Sequence, residues 1–234
     1  MKLHFKIKMK QSIYLTGFSE FKGCKINPTS KIINLLKEDT EFIKDNNIKS
    51  LEILKVSISK VEDYFIKNKD NNTNLFIHLG VAGSRFQFDI EELSFNEANF
   101  KNADVDGNTP KNEPIFKNDK ITSFNKTNIN VDKLINYLNL NYEIPKRIQR
   151  ILNKKMTNKN GEIVSSKIEN NTNNKIIFKS KDAGRFLCNY IYHKSLNFTN
   201  NNSLFIHVPN EMIISIKDQL KFIKLVINYF NKEC

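Results

Sequence analysis

Cysteine is scarce in this sequence, and the few that occur do not form a recognisable pattern. The 234 residues include three cysteines, Cys24, Cys188 and Cys234, and no CxxC pair. An odd number without paired spacing argues against a disulfide framework and against a cysteine-based zinc site. We therefore expect a reducing compartment, in which each cysteine is either a buried apolar side chain or a nucleophile.

Long apolar runs are also missing from the chain. No segment approaches the ~18 consecutive apolar residues that a membrane span requires. The N-terminal segment, MKLHFKIKMKQSIYL, is interrupted by Lys2, Lys6, Lys8 and Lys10, so it lacks the continuous apolar stretch of a signal peptide. The sequence therefore predicts no association with a membrane.

Acidic residues are outnumbered by basic ones, 25 against 37, which gives a net charge of +12 and a pI near 9.4. Such an excess is compatible with a polyanionic partner such as RNA or with a solvated, lysine-dominated surface. The lysines are spread along the whole chain, without an arginine-rich helix or a base-stacking motif. We therefore favour the solvated surface and keep nucleic-acid binding as the alternative.

Short apolar runs in the sequence predict the strands of a buried sheet. Each of the three clearest runs, at 12–16, 75–79 and 203–208, is followed directly by a glycine or proline. Runs that are apolar on both faces are typical of parallel strands covered on both sides. Residues 51–56 alternate and predict a half-exposed strand, and 175–178 is a further candidate.

Amphipathic patterns between these runs predict helices, so the chain reads as a series of βαβ units. The predicted helices cover 29–36, the turn with Val61, Tyr64 and Phe65, 131–138, 183–195 with Asp182 as N-cap, and 216–230. We expect one domain over 1–234, a three-layer α/β/α sandwich with a twisted, mostly parallel but mixed sheet. Two segments fall outside this pattern, a long loop at 97–130 and a low-complexity insertion at about 154–174.

The candidate chemistry lies at the carboxyl ends of the predicted strands, where open α/β sheets place their sites. Gly17, Gly80 and His207 mark this edge, and Cys188 lies early in the helix that follows residues 175–178. A thiol at a helix N-terminus beside an imidazole is favoured as the reactive thiolate. His78 repeats the Phe-Ile-His of His207, so the residues alone leave it an equal candidate.

Five sequence blocks resemble the pyroglutamyl peptidase I family of cysteine omega-peptidases, also called pyrrolidone-carboxylate peptidases. They are LTGFSEFKGCKINPTSKI at 15–32, HLGVAGSRFQFDIEELSFNEANF at 78–100, VDGNTPKNEPI at 105–115, SKDAGRFLCNYIYHKSL at 180–196 and SLFIHVP at 203–209. They follow the order of the family and, roughly, its spacing. The resemblance implies hydrolysis of the amide bond after an N-terminal L-pyroglutamyl residue, in the cytoplasm, with no metal and no cofactor.

The resemblance also implies the roles of individual residues. The nucleophile falls on Cys188, the general base and acid on His207, and the orienting carboxylate on Glu91. Peptides with an N-terminal pyroglutamate are the implied partners, and the oligomeric state is left open. His193, five residues after Cys188, is expected to point away from it on the helix.

The same resemblance implies a substrate pocket. Phe18 and Phe21 would clamp the lactam ring, backbone groups at Gly80 and Val81 would read its polar atoms, and Asn27 would hold the aromatic loop. Lys101 stands where the family has an arginine near the oxyanion, so it is a candidate for oxyanion support. Each of these assignments is an expectation for the structure.

Two departures from the family pattern leave other functions open. Glu20 replaces a proline between the two aromatics, and Glu92 replaces an arginine after Glu91. Adjacent residues of an extended segment point to opposite faces, so only one of the two glutamates can reach His207, and the matching register favours Glu91. The alternatives are a weak or inactive relative that binds RNA, and a cysteine amidase of the same fold with another acyl specificity.

Overall fold

The computed structural model describes residues 11–83, 85–155 and 175–232. Its strands are β1 (Ile13–Phe18), β2 (Ile48–Leu54), β3 (Leu75–Val81), β4 (Phe88–Glu91), β5 (Leu93–Phe95), β6 (Phe124–Lys126), β7 (Ile177–Ser180) and β8 (Ser203–Val208). Its helices are α1 (Pro28–Glu38), α2 (Thr40–Asp45), α3 (Ile58–Lys67), α4 (Val131–Asn141), α5 (Lys146–Lys155), α6 (Leu187–Phe198) and α7 (Ile216–Lys232).

Six of the strands form one sheet in the order β2-β1-β3-β8-β4-β7. Every neighbouring pair is parallel except β4 and β8, which run antiparallel. The predicted mostly parallel, mixed sheet is therefore confirmed. β5 and β6 form a separate two-stranded sheet.

The central strands are the apolar runs of the sequence. Every residue of β1 and β8 is buried, as are six of the seven residues of β3. Such strands bury both faces, which explains why their sequences are continuously apolar rather than alternating. The edge strand β2 is only partly buried along its middle, as its alternating sequence predicted.

Two apolar layers, one on each face of the sheet, hold the sandwich together. On one face, α1, α4 and α7 pack on alternate strand residues such as Leu15, Ile77 and Ile206. On the other face, α3 and α6 pack on the intervening residues, among them Phe76 and Phe205. The predicted three-layer α/β/α architecture is confirmed.

The prediction for the helix that carries Cys188 was wrong at its start. Asp182 is not the N-cap, because its side chain accepts the backbone N–H of Gly184 and the Nη1–H of Arg185. Gly184 has a φ of +82°, a left-handed conformation that a helix does not tolerate. The helix therefore begins at Leu187, so Cys188 is its second residue.

Other differences concern segments with weak patterns. β4 and α5 were not predicted, and the expected loop at 97–130 contains the short strand β6. The first two residues of the predicted insertion at 154–174 belong to α5, and the rest, like Cys234, lies outside the described residues. In the part of the chain that is described, no helix is long and apolar enough to cross a membrane.

Candidate active site

Three side chains that are far apart in sequence meet at the carboxyl end of β8. His207 lies near the end of β8, Glu91 is the last residue of β4, and Cys188 is the second residue of α6. The antiparallel pairing of β4 with β8 places Asp89 opposite His207 and Glu91 opposite Phe205. The strand that sequence patterning missed is thus the one that delivers the carboxylate.

Glu91 and His207 form a buried hydrogen-bonded pair. The Nδ1 atom of His207 lies 2.7 Å from the Oε1 atom of Glu91, and the two side chains are 7% and 0% exposed. The backbone carbonyl of Glu91 also accepts a hydrogen bond of 2.8 Å from the hydroxyl of Tyr192 on α6. This second bond fixes the end of β4 against the helix that carries the thiol.

The electrostatics of the site favour a protonated imidazole at His207. Burial by itself lowers the pKa of His207, but the charge of the Cys188 thiolate, its hydrogen bond to the ring and Glu91 outweigh burial and raise that pKa to about 9. The imidazole is therefore protonated at neutral pH, and it is in hydrogen-bond contact with the sulfur of Cys188. Such a pair provides a nucleophile and a proton donor in one contact.

Gly80 provides the space for the sulfur. It lies opposite His207 in the pairing of β3 with β8. A Cβ atom at this position would lie 3.0 Å from the Sγ atom of Cys188 and 2.6 Å from the Phe205 ring. A glycine inside a strand often marks such a close approach, and this was the signal in the sequence that could have identified the steric role.

The N-terminus of α6 is left without a side-chain cap. In α1, α3 and α4, the N-cap residues Asn27, Ser57 and Asn130 each accept a backbone N–H of the first turn. The N-cap of α6 is Phe186, whose side chain makes no such bond. The first amide groups of a helix have no partner within the helix, so the N–H of Cys188 is available for a negatively charged oxygen.

The structure places the predicted aromatic residues in the same apolar cluster as Cys188. Phe18 is buried, and Phe21 and Phe186 are partly buried members of that cluster. Asn27 ties down the intervening loop, because its Nδ2 atom donates to the carbonyl of Ser19 over 3.0 Å. No contact between the rings of Phe18 and Phe21 occurs among the described residues.

A cavity of about 980 Å³ opens in front of the N-terminus of α6. Phe21, Val56 and Phe186 form apolar parts of its wall, and Lys101, an exposed residue, lines it as well. Phe18, Gly80 and Val81 do not line this cavity. The pairing of β1 with β3 ends at Thr16 and His78, so the segment from Leu79 to Val81 lies beyond that pairing.

Burial has the largest effect on the pKa of the two remaining described histidines. His78 is fully buried, bonds to Thr16 through Nδ1 over 2.7 Å, and has its pKa lowered by burial to about 3. His193 lies 2.9 Å from the hydroxyl of Ser94, and its pKa is lowered to about 4, mainly by burial. Across residues 11–83, 85–155 and 175–232 there is no group of three His, Cys, Asp or Glu side chains that could hold a metal ion.

One residue of the site was not predicted from sequence. The Nη1 atom of Arg85 lies 2.6 Å from Asp89 and 3.6 Å from the Oε1 atom of Glu91. Arg85 precedes β4 in a segment with no periodic pattern, so the sequence offered no reason to place it beside a buried carboxylate.

Comparisons with known proteins point to one family. The sequence model of the pyroglutamyl peptidase family matches residues 11–151. The pyrrolidone-carboxylate peptidase of Thermosipho africanus is 27% identical over 202 residues, which cover 84% of this chain and 80% of the relative. That of Fusobacterium nucleatum is 34% identical over 106 residues, or 45% and 48% of the two chains.

Solved structures show the same fold. The pyrrolidone carboxyl peptidase of the hyperthermophile Pyrococcus furiosus has a TM-score of 0.68 at 22% identity and covers 95% of this chain and 99% of its own. The enzyme of Fervidobacterium islandicum AW-1 gives the same TM-score and coverage at 23% identity. The architecture is thus shared over nearly the whole length of both chains.

Proposed function

Because the chain belongs to the pyroglutamyl peptidase family, we propose that it hydrolyses the amide bond after an N-terminal L-pyroglutamyl residue through an acyl-enzyme on Cys188. The observation that carries this proposal is the convergence of Cys188, His207 and Glu91 at the carboxyl end of β8, next to the N-terminus of α6. A thiolate, an imidazolium and a buried carboxylate are the groups that acyl transfer on sulfur requires.

In the first half of the reaction, the thiolate of Cys188 attacks the carbonyl carbon of the pyroglutamyl residue. A C–S bond forms, and the carbonyl oxygen becomes an oxyanion that the N–H of Cys188 can hold at the uncapped start of α6. Removal of one such donor typically costs about 10²–10³ in rate. His207 then donates its proton to the leaving nitrogen as the C–N bond breaks, which releases the shortened peptide.

In the second half, His207 acts as a base. It accepts a proton from a water molecule, the oxygen of that water attacks the thioester, and the C–S bond breaks to release pyroglutamate. The proton on His207 and the thiolate of Cys188 are then restored, so the cycle balances. Glu91 holds the Nδ1–H of His207, which leaves Nε2 to face the sulfur and the substrate.

Substrate recognition is assigned to the aromatic loop and the ends of β1 and β3. Phe18 and Phe21 are proposed to contact the lactam ring, with Asn27 fixing their loop through Ser19. Backbone groups of Gly80 and Val81 would form hydrogen bonds with the lactam carbonyl and N–H. The pairing of β1 with β3 ends before these two residues, so β1 does not pair with them. A site that forms such hydrogen bonds can reject an analogue that lacks the lactam carbonyl, such as proline, by ~10⁴ or more.

Two further assignments complete the proposal. Lys101 lines the cavity and is exposed, so its charge is proposed to support the oxyanion from the solvent side. A reducing compartment, the cytoplasm, is proposed because the reaction needs the free thiol of Cys188.

The direct test is hydrolysis of pyroglutamyl-aminomethylcoumarin by the full chain, with the prolyl and glutaminyl amides assayed separately as alternative substrates. We expect turnover of the pyroglutamyl amide alone and its loss in Cys188→Ala. Cys24→Ala is the matched control, because the thiol of Cys24 donates to the carbonyl of Ile26 and its two bonds to Phe21 are made by the backbone. Equal turnover of the prolyl amide would indicate another acyl specificity. No turnover, together with salt-dependent RNA binding, would replace the proposal with the polyanion alternative.

A further inference from the structure

Two buried carboxylates flank His207, although the proposed reaction uses only one of them. Asp89 and Glu91 are 2% and 0% exposed. They stand two residues apart on β4 and therefore share one face of the sheet. Asp89 lies opposite His207 in the pairing of β4 with β8, whereas Glu91 makes the hydrogen bond to the ring.

Arg85 contacts both carboxylates with one nitrogen. Its Nη1 atom lies 2.6 Å from the Oδ2 atom of Asp89 and 3.6 Å from the Oε1 atom of Glu91. Gln87 donates to the other oxygen of Asp89 over 2.7 Å. The backbone N–H of Arg85 donates to the carbonyl of Ala82 over 2.9 Å, which fixes the backbone of Arg85 against the segment after β3.

The groups that face this carboxylate pair come from four elements. They are Arg85 and Gln87 from the segment before β4, His207 from β8, Cys188 and Tyr192 from α6, and Asp182, which acts on Arg85 from the segment before α6. Within the described ranges, Arg85 is the only lysine or arginine in ion-pair contact with Glu91. Glu92 points to the opposite face, where it pairs with Lys126 over 3.0 Å.

Two adjacent carboxylates away from water repel each other, and such a pair tends to retain a proton. A proton on Glu91 would remove the negative charge that stabilises the imidazolium of His207. A guanidinium keeps its charge at all relevant pH values and can form ion pairs with two carboxylates at once.

We propose that Arg85 is a positioning residue that keeps Glu91 charged beside Asp89, so that Glu91 can hold and stabilise the imidazolium of His207. Arg85 itself is not among the residues that line the cavity. The inference rests on the proposed function, because it assumes that His207 carries the proton of the reaction.

The test compares the wild-type chain with Arg85→Gln in two assays across pH 5 to 10. One assay follows alkylation of Cys188 by iodoacetamide, read as modification of the peptide that contains it, and the other measures kcat/KM for the pyroglutamyl amide. We expect the acid limb of both profiles to move to higher pH by about one unit, which is up to about a tenfold loss of rate on that limb. The two proteins should converge at high pH.

Three variants separate this role from a structural one. Arg85→Lys keeps a point charge and should restore part of the shift. The double variant Arg85→Gln/Asp89→Asn removes the second carboxylate and should return the acid limb towards the wild-type position. Lys126→Gln, which takes the cation from the neighbouring Glu92, should leave both profiles in place.

An unchanged alkylation profile in Arg85→Gln would overturn the inference, as would a double variant no better than the single one. The two assays also separate this inference from the proposed function. If the wild-type chain hydrolysed no pyroglutamyl amide while the alkylation profile shifted as expected, the substrate assignment would fail and the role of Arg85 would stand.

Discussion

Two neighbouring strands carry the same tripeptide, Phe-Ile-His, and give its histidine opposite properties. In β3 it ends at His78, and in β8 it ends at His207. The strands are parallel and adjacent, but their register pairs His78 with Phe205 and Gly80 with His207. His78 therefore lies two residues further from the carboxyl edge of the sheet than His207 does. His207 lies at that edge, where β4 and α6 meet.

Burial does not separate the two histidines, because both are nearly inaccessible to solvent. His78 has the hydroxyl of Thr16 as its polar neighbour and is surrounded by the rings of Tyr64, Phe65 and Phe76, so burial lowers its pKa to about 3. For His207, the charges of Cys188 and Glu91 outweigh burial and raise the pKa to about 9. Nearby charges, rather than depth, decide which histidine can carry a proton at neutral pH.

The same substitution should have different effects at His207 and at His78. His207→Asn removes the group proposed to transfer the proton, so kcat/KM for the pyroglutamyl amide should fall by about 10⁴. His78→Asn keeps a polar atom near Thr16 and should retain activity when the protein is folded. The readouts are steady-state kinetics and circular dichroism, and a comparable loss of kcat in a folded His78→Asn protein would contradict the comparison.

A smaller effect is expected at Gly80, the residue of β3 that lies opposite His207. In Gly80→Ala the new methyl group would lie 3.0 Å from the Sγ atom of Cys188 and even closer to the Phe205 ring. Displacement of a reacting atom by about 1 Å can cost about 10² in rate, so kcat should fall by about that factor. The matched control is Gly83→Ala, because a Cβ atom there meets nothing within 4 Å.

Alkylation of Cys188 distinguishes this steric explanation from unfolding. If Gly80→Ala kept its circular dichroism spectrum but lost the fast reaction of Cys188 with iodoacetamide, the displacement of the sulfur would be supported. Full activity in Gly80→Ala would show that Phe205 and the thiol can move aside, and Gly80 would then have no steric role.

Strong local patterns made much of the fold predictable from the sequence. The strands that are buried on both faces read as continuous apolar runs, and α7 was predicted from a single apolar stripe to within two residues of its observed end. Both signals depend only on neighbouring residues. β4 was missed because it has only four residues, Phe88–Glu91, and an alternation of two apolar and two acidic residues is too short to distinguish a strand from a loop.

The site was harder to predict, because its geometry depends on contacts between distant segments. The resemblance to a family, rather than any pattern, pointed to Glu91 and to His207 in preference to His78. No local signal distinguishes the two histidines, since register and the antiparallel position of β4 are long-range properties. The contact of Arg85 with Glu91 became visible only with the distances, whereas a glycine inside a strand was a sequence signal for the steric role of Gly80.

His78 should also make the free energy of unfolding depend on pH. Its pKa is lowered in the folded chain, from about 6.5 to about 3, so between these pH values the unfolded chain binds more protons. The contribution of His78 to stability is therefore complete above about pH 6.5 and is lost as the pH falls towards 3, by about 1.4 kcal/mol per unit.

Between pH 7 and pH 5 the wild-type free energy of unfolding should decline by about 2 kcal/mol more than that of His78→Asn. Urea titrations at the two pH values measure this difference, and it isolates His78 because His193 and the carboxylates are common to both proteins. Equal slopes would mean that His78 is protonated in the folded state, and the contrast with His207 would then be one of position rather than of charge.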